Sequence, residues 1–132
     1  MRPIQERDAE AIEALEVELF DNSFNATTIR REIRRGEGWV VEEDDRLVGY
    51  LLAARDGKML DVIRLGVRSS HQRRGIGTEL LKKVLYHDEL MLCVRRENWP
   101  AIKIYYREGF RILGHTEDSW VMLRKGHHPD YL

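Results

Sequence analysis

Residues 70–78 read Ser70-His71-Gln72-Arg73-Arg74-Gly75-Ile76-Gly77-Thr78. They join an extended stretch, Met59 to Val67, to a helical stripe of Leu80, Leu81, Val84 and Leu85. Glycine lets a chain turn tightly, so a strand–glycine turn–helix sequence gathers consecutive N–H groups in one place. Those groups, with the positive end of the following helix, suit a phosphate. Arg73 and Arg74 add fixed charge beside them. A dinucleotide fingerprint would need a third glycine where Leu80 stands, and a Walker loop would need Lys-Ser or Lys-Thr after the glycines. Both are excluded. A Gly-x-Gly turn taken alone serves plain packing equally well.

Downstream, Leu90 to Val94 is an apolar run of the kind expected for a strand buried on both faces. Its single cysteine, Cys93, reads as a small buried apolar residue. Asn98 to Glu108 follows as a helix, with Asn98 as cap, Pro100 in the first turn and Gly109 just past the end. Upstream, Asp8 begins a helix to Phe20 on an Ala11, Ile12, Leu15, Leu19 and Phe20 stripe. A second helix covers Ala26 to Arg35 and stops at Gly36 and Gly38. Trp39–Glu42, Leu47–Ala54 and Met59–Val67 form an antiparallel meander turning at 43–46 and at Asp56-Gly57. Trp120 to Arg124 is a last strand, and Trp39, Trp99 and Trp120 read as packing. This order predicts an α/β (α+β) domain with a mixed sheet and helices on its faces.

The chain has 132 residues, enough for one domain over 1–132. Apolar residues are 42 % and charged residues 34 %, which excludes a disordered chain. No apolar run reaches the roughly 18–20 residues of a membrane helix, and no signal-peptide pattern is present. A lone Cys93 permits no internal disulfide, so a cytoplasmic protein is expected. Residues 1–45 carry 13 acidic and 6 basic side chains, residues 46–132 carry 10 and 16, and the total is −1. That balance argues against nucleic-acid binding. The asymmetry fits either two solvated faces, or an anion site in the second half and a cationic partner near Glu16, Glu18 and Asp21. His71, His87, His115, His127 and His128 show no metal spacing, so no metal is expected; His127-His128 reads as a solvated tail.

The two segments together, Gln72-Arg73-Arg74-Gly75-Ile76-Gly77 and Asn98-Trp99-Pro100-Ala101-Ile102-Lys103-Ile104-Tyr105-Tyr106-Arg107-Glu108-Gly109-Phe110, resemble the GNAT superfamily of acyl-CoA-dependent N-acetyltransferases. That family carries Q/R-x-x-G-x-G/A after its fourth strand and N-x-x-A-x-x-x-Y-x-x-x-G-F after its fifth. The likeness is closest over Leu60 to Gly114, with a layout nearest RimI-like (ribosomal-protein-alanine) enzymes. It implies a mostly antiparallel sheet, helices on both faces and a splayed central strand pair. It implies that amides of Arg73, Arg74, Gly75, Ile76 and Gly77, after Gln72, hold the pyrophosphate of acetyl-CoA. It implies that pantetheine pairs along Leu65, Gly66 and Val67, and that Asn98 contacts it while also capping its helix. The Leu65 amide would stabilise the oxyanion. Tyr105 aligns with the family's general acid toward the departing thiolate. Tyr106, about 100° around the helix, reads as packing.

The base departs from the pattern. RimI-like enzymes place a Glu where Cys93 stands, whereas the histone-acetyltransferase branch places one at the position of Asp61. Period-two alternation puts Asp61, Ile63, Leu65 and Val67 on one face, which favours Asp61 as base, through a water. An idle, solvated Asp61 is the alternative. The expected activity is acetyl transfer from acetyl-CoA to a primary amine, a protein or peptide amine ahead of a small molecule, without membrane or nucleic acid. A short helix behind the glycine turn favours a homodimer. The rival reading is a CoA-binding sensor without turnover.

Overall fold

The computed structural model describes residues 1–126, so the predicted His127-His128 tail lies outside the described residues. The elements run β1 (Arg2–Pro3), α1 (Ala9–Leu19), α2 (Ala26–Arg35), β2 (Gly36–Glu43), β3 (Arg46–Asp56), β4 (Met59–Val67), α3 (Ile76–Lys82), β5 (Glu89–Arg95), α4 (Trp99–Arg107), β6 (Arg111–His115) and β7 (Ser119–Lys125). One sheet holds all the strands in the order β1-β2-β3-β4-β5-β7-β6. Every pairing is antiparallel except β4 with β5. Among the described residues, no helix is long and apolar enough to cross a membrane.

The sheet separates two apolar layers. Ile12, Leu15 and Ile29 of α1 and α2 bury against Val40, Tyr50 and Leu52 on one face. Leu80, Leu81 and Val84 behind the glycine turn, and Ile102 and Tyr105 of α4, bury against Leu51, Leu60 and Leu92 on the other. Each such side chain contributes about 1.5–3 kcal/mol by leaving water.

Some expectations needed correction. Gly36 is not a left-handed helix stop: its φ is −139°, and it begins β2 directly after α2. It is glycine because an added Cβ would lie 1.8 Å from the Ala53 carbonyl oxygen. The β2–β3 turn is the pair Asp44-Asp45 with φ of 54° and 60°, the double positive φ that a two-residue hairpin requires. Strands β1 and β6 carry no signal of their own in the sequence. β1 is too short to show a period, and β6 exposes Ile112 and Leu113, so it carries no buried alternation. Trp99 is 62 % exposed rather than packed. Tyr106 is likewise half-exposed, with the Arg111 guanidinium over its ring.

Strand β4 departs most from simple alternation. Its partners on β3 jump from Leu52↔Arg64 to Ala53↔Val62, so Ile63 is an inserted bulge residue. A bulge shifts the side-chain phase and bends its strand. Asp61 therefore does not share a face with Leu65 and Val67. Ile63 packs toward α1 and α2, while Leu65 packs toward α3 and α4.

Candidate functional site

Strands β4 and β5 pair only from Met59↔Glu89 to Val62↔Leu92, then part. β4 stays bonded to β3 as far as Val67, and β5 stays bonded to β7 as far as Arg95. Each strand is thus held by its outer neighbour while their inner edges diverge, starting at the Ile63 bulge. The result is a cleft through the sheet with a cavity at each end. One, of ≈ 350 Å³, lies toward α3 and α4, between β4 and the glycine turn. The other, of ≈ 270 Å³, lies toward the α1–α2 connection. Leu65, Asn98 and Tyr105 line both.

Tyr105 stands at the junction. α4 positions it because Asn98 caps the helix, its side chain accepting from the Ala101 N–H at 3.4 Å, and because Phe110 packs against the phenol ring, centroids 5.7 Å apart. The residue is 8 % exposed. Burial pushes its phenol up to about 12. Among the described residues, no group hydrogen-bonds to its hydroxyl, whose oxygen is open to the cleft.

The glycine turn forms the outer wall of the larger cavity. Arg73 (φ 66°) and Gly75 (φ 82°) both adopt left-handed backbone, and the Gln72 side chain ties the turn back by donating to the Val67 carbonyl at 3.0 Å. Gly75 meets nothing within 4 Å of an added Cβ, so its glycine serves the dihedral. Gly77 has ordinary φ, and an added Cβ would meet only Val67, at 3.8 Å. The Glu43 carboxylate from the β2–β3 hairpin lies 3.3 Å from His71 and 4.0 Å from Arg74.

The smaller cavity is polar. Arg64, Arg95, Asn22, Asp118 and Ser119 line it beside Phe20, Ile63 and Cys93. Cys93 is exposed, contrary to its reading as a buried residue, because β4 has left its side of β5 at that level. Partial desolvation of its sulfur, then Asp61 and Asp118, push its thiol up, which disfavours the thiolate. The β5 face that holds Cys93 is therefore open; only Leu90, Leu92 and Val94 on the other face are buried. Asp61 pairs in register with Met91, one pleat behind Ile63 and Cys93 on the same face. Burial, then Asp56 and Glu32, push its carboxyl up.

Of the residues singled out from sequence, Leu65, Val67, Gln72, Arg73, Gly75, Ile76, Gly77, Asn98 and Tyr105 line the larger cavity together. Three do not join them. Gly66 faces Tyr50, whose Cε1 would lie 2.8 Å from an added Cβ. Arg74 points to Glu43, and Asp61 lies behind the smaller cavity. Glu16 does not wait for an outside cation: it is fully buried and paired with Arg64 of the same chain. Glu18 is likewise engaged, with Arg68 and the Ser69 N–H. Sequence reading missed Arg64. The available signal was a cation inside the apolar run Val62-Ile63-Arg64-Leu65, which calls for a buried counter-charge. Among the described residues, no three His, Cys, Asp or Glu side chains gather as metal ligands.

A family model described as the acetyltransferase (GNAT) family matches residues 4–110. The peptidyl-lysine N-acetyltransferase YiaC of Escherichia coli is 35 % identical over 82 residues, 61 % of this chain and 54 % of that protein. The chain thus matches about half the length of that relative. In overall shape the chain is similar to the ribosomal-protein-alanine N-acetyltransferase of Escherichia coli, with TM-score 0.83, 18 % identity, and coverage of 99 % of this chain and 96 % of the other. It is also similar to the PaiA N-acetyltransferase of Thermoplasma acidophilum, solved in complex with coenzyme A, with TM-score 0.76, 17 % identity, and coverage of 95 % and 99 %. At such identities the two structures show likeness of fold, including the expected RimI-like layout.

Proposed function

The chain belongs to the acetyltransferase (GNAT) family, and from that premise we propose that it transfers an acetyl group from acetyl-CoA to a primary amine. The observation that carries this is the through-sheet cleft, with the Tyr105 hydroxyl, unpartnered among the described residues, where its two cavities meet. An extended arm fits the larger cavity, where the β4 edge from Ile63 to Val67 has no strand partner on the β5 side. Backbone amides of residues 73–77 suit its phosphates. The amine enters through the smaller cavity, from the opposite face.

The acetyl thioester supplies the electrophile. Tyr105 keeps its proton at neutral pH, so its hydroxyl can donate to the sulfur as charge develops there. An ordinary thiol titrates near 8.5, so full transfer from a phenol near 12 runs uphill. The role of Tyr105 is hydrogen-bond stabilisation of the leaving sulfur. The Leu65 amide takes the oxyanion. Asp61 accepts the amine's proton through a water that spans the pleat to Cys93, and its raised pKa makes it a stronger base than a free carboxylate. The nitrogen–carbon bond forms first and gives the oxyanion; its collapse breaks the carbon–sulfur bond and releases the coenzyme A thiolate beside Tyr105, while the amine's proton leaves through Asp61.

A protein or peptide amine is the favoured acceptor, because the smaller cavity is open at the sheet surface and polar. The relative YiaC is named for peptidyl-lysine, and the Escherichia coli structural neighbour for a ribosomal-protein alanine. The test offers acetyl-CoA with peptides bearing a free α-amine, peptides bearing only a lysine amine, and small diamines, following thiol release. Turnover with any of them is the expected result. Coenzyme A binding with no thiol release from any amine favours the sensor reading instead.

A further inference from the structure

We infer that Glu16 and Arg64 are positioning residues for the acceptor: a buried ion pair that clamps the α1–α2 connection into one wall of the smaller cavity. The inference rests on the reading of that cavity as the amine's entrance.

The connection from Phe20 to Asn25 contains no regular structure, yet two of its residues, Phe20 and Asn22, line the cavity. An irregular segment left to itself would sample many conformations, and fixing it costs chain entropy. Here it is pinned from beneath. Glu16, fully buried on α1, accepts from the Phe24 N–H at 2.9 Å, from Arg64 Nε at 3.0 Å and from the Tyr50 hydroxyl. Arg64 Nη2 donates to the Asn22 carbonyl at 2.9 Å. The guanidinium lies 4.2 Å from the centroids of both Phe20 and Phe24. Both ends of the connection and its middle therefore close on one side chain.

Why arginine rather than lysine follows from that geometry. A planar guanidinium stacks on aromatic faces while donating in its own plane, whereas an ammonium is a point charge on a flexible stem. The bulge at Ile63 is what makes the arrangement possible. Unbroken alternation from Val62 through Ile63 would put Arg64 on the α3–α4 face with Val62; the bulge instead sets it opposite Leu52, on the α1–α2 face. The same irregularity thus opens the cleft and turns this side chain to the acceptor wall.

The experiment compares the affinity of coenzyme A with that of a conjugate in which the sulfur is joined through an acetyl bridge to the α-amine of a tripeptide. The ratio of the two isolates the acceptor arm. Wild type is expected to bind the conjugate at least about tenfold more tightly than coenzyme A, which is the 1.4 kcal/mol of a tenfold constant. Arg64→Lys is expected to bind coenzyme A within about twofold of wild type and to lose that gain. The double variant Glu16→Met with Arg64→Met replaces the pair by apolar side chains, an exchange that buried pairs tolerate in stability. It is expected to fold, bind coenzyme A and also lack the gain. If the double variant keeps the gain, or wild type never shows it, the inference is overturned while coenzyme A binding leaves the proposed function standing. Wild type that fails to bind coenzyme A strikes the proposed function instead.

Discussion

Glu16 and Arg64, 48 residues apart in sequence, meet inside the molecule with Nε 3.2 and 3.0 Å from the two carboxylate oxygens. Glu16 is fully buried and the Arg64 side chain is 14 % exposed. Removing one partner of such a pair leaves an uncompensated charge, a loss of about 3–5 kcal/mol. Arg64→Ala is expected to fall in that range by urea denaturation at neutral pH, with a larger loss than Arg30→Ala, whose exposed pair with Glu10 is worth at most about 1 kcal/mol.

Tyr105→Phe separates catalysis from stability. The hydroxyl has no partner among the described residues and opens onto the cleft, so removing it breaks no hydrogen bond of the fold. The expected result is a Tm close to that of wild type, unchanged coenzyme A affinity, and a kcat lower by about 10²-fold or more. A kcat within twofold of wild type would remove Tyr105 from the reaction.

The two glycines of the turn are expected to respond with opposite signs. Gly75→Ala forces a Cβ onto a φ of 82°, costing about 1–2 kcal/mol and loosening the turn. Gly77→Ala has room in the free protein and lies in the first turn of α3, where alanine is the better helix former by about 1 kcal/mol. It is expected to raise the Tm yet weaken coenzyme A binding, because the added methyl occupies space beside Val67 in the larger cavity. Calorimetric titration with coenzyme A alongside thermal melts checks both.

Asp61 has a carboxyl pushed above its ordinary value, so folding favours its protonated form and its burial costs stability once pH rises past the unfolded value near 3.9. Asp61→Asn is therefore expected to raise the Tm at pH 7. If Asp61 is the base, the same change lowers kcat and removes the acidic limb of kcat/KM that follows the raised pKa. A higher Tm with an unchanged pH profile would leave the base elsewhere.

Asp8 titrates the other way. Burial pushes its carboxyl up, but two bonds from the Arg2 guanidinium and one from the Gln5 N–H outweigh it, and the net direction is down. A depressed carboxyl contributes stability that is full above the unfolded value near 3.9 and lost as pH falls through the lower folded value. Asp8→Asn is expected to cost about 1.5–3 kcal/mol at pH 7, and the difference from wild type should shrink below pH 4. Urea midpoints across that range measure it.

Much of the fold is legible along the chain because the signals are local. The start of α2 follows from Asn25, whose side chain accepts from the Thr28 N–H at 2.9 Å, whereas the need for glycine at Gly36 comes from β3 and is not local. The glycine turn and the Asn98–Gly109 helix are read from spacing, and their residues gather around one cavity. Strand β6 is not legible, because its side chains are mostly exposed and its identity depends on pairing with β7. The acceptor wall is not legible either. Asp61, Ile63, Leu65 and Val67 keep perfect alternation on paper, and only a partner strand reveals that Ile63 is inserted.

Residue type and spacing by themselves pointed to the helices, the meander and the glycine turn, since caps, turns and amphipathic periods act within a few residues; Tyr105 was singled out from Tyr106 only by the resemblance to the family's motif. Tertiary structure alone decided that β4 slips phase at Ile63, that the slip parts it from β5, and that Arg64 turns to meet Glu16 beneath Phe20 and Phe24. Those outcomes depend on strand register and on charges brought together from distant parts of the chain, and neither is a property of any short segment.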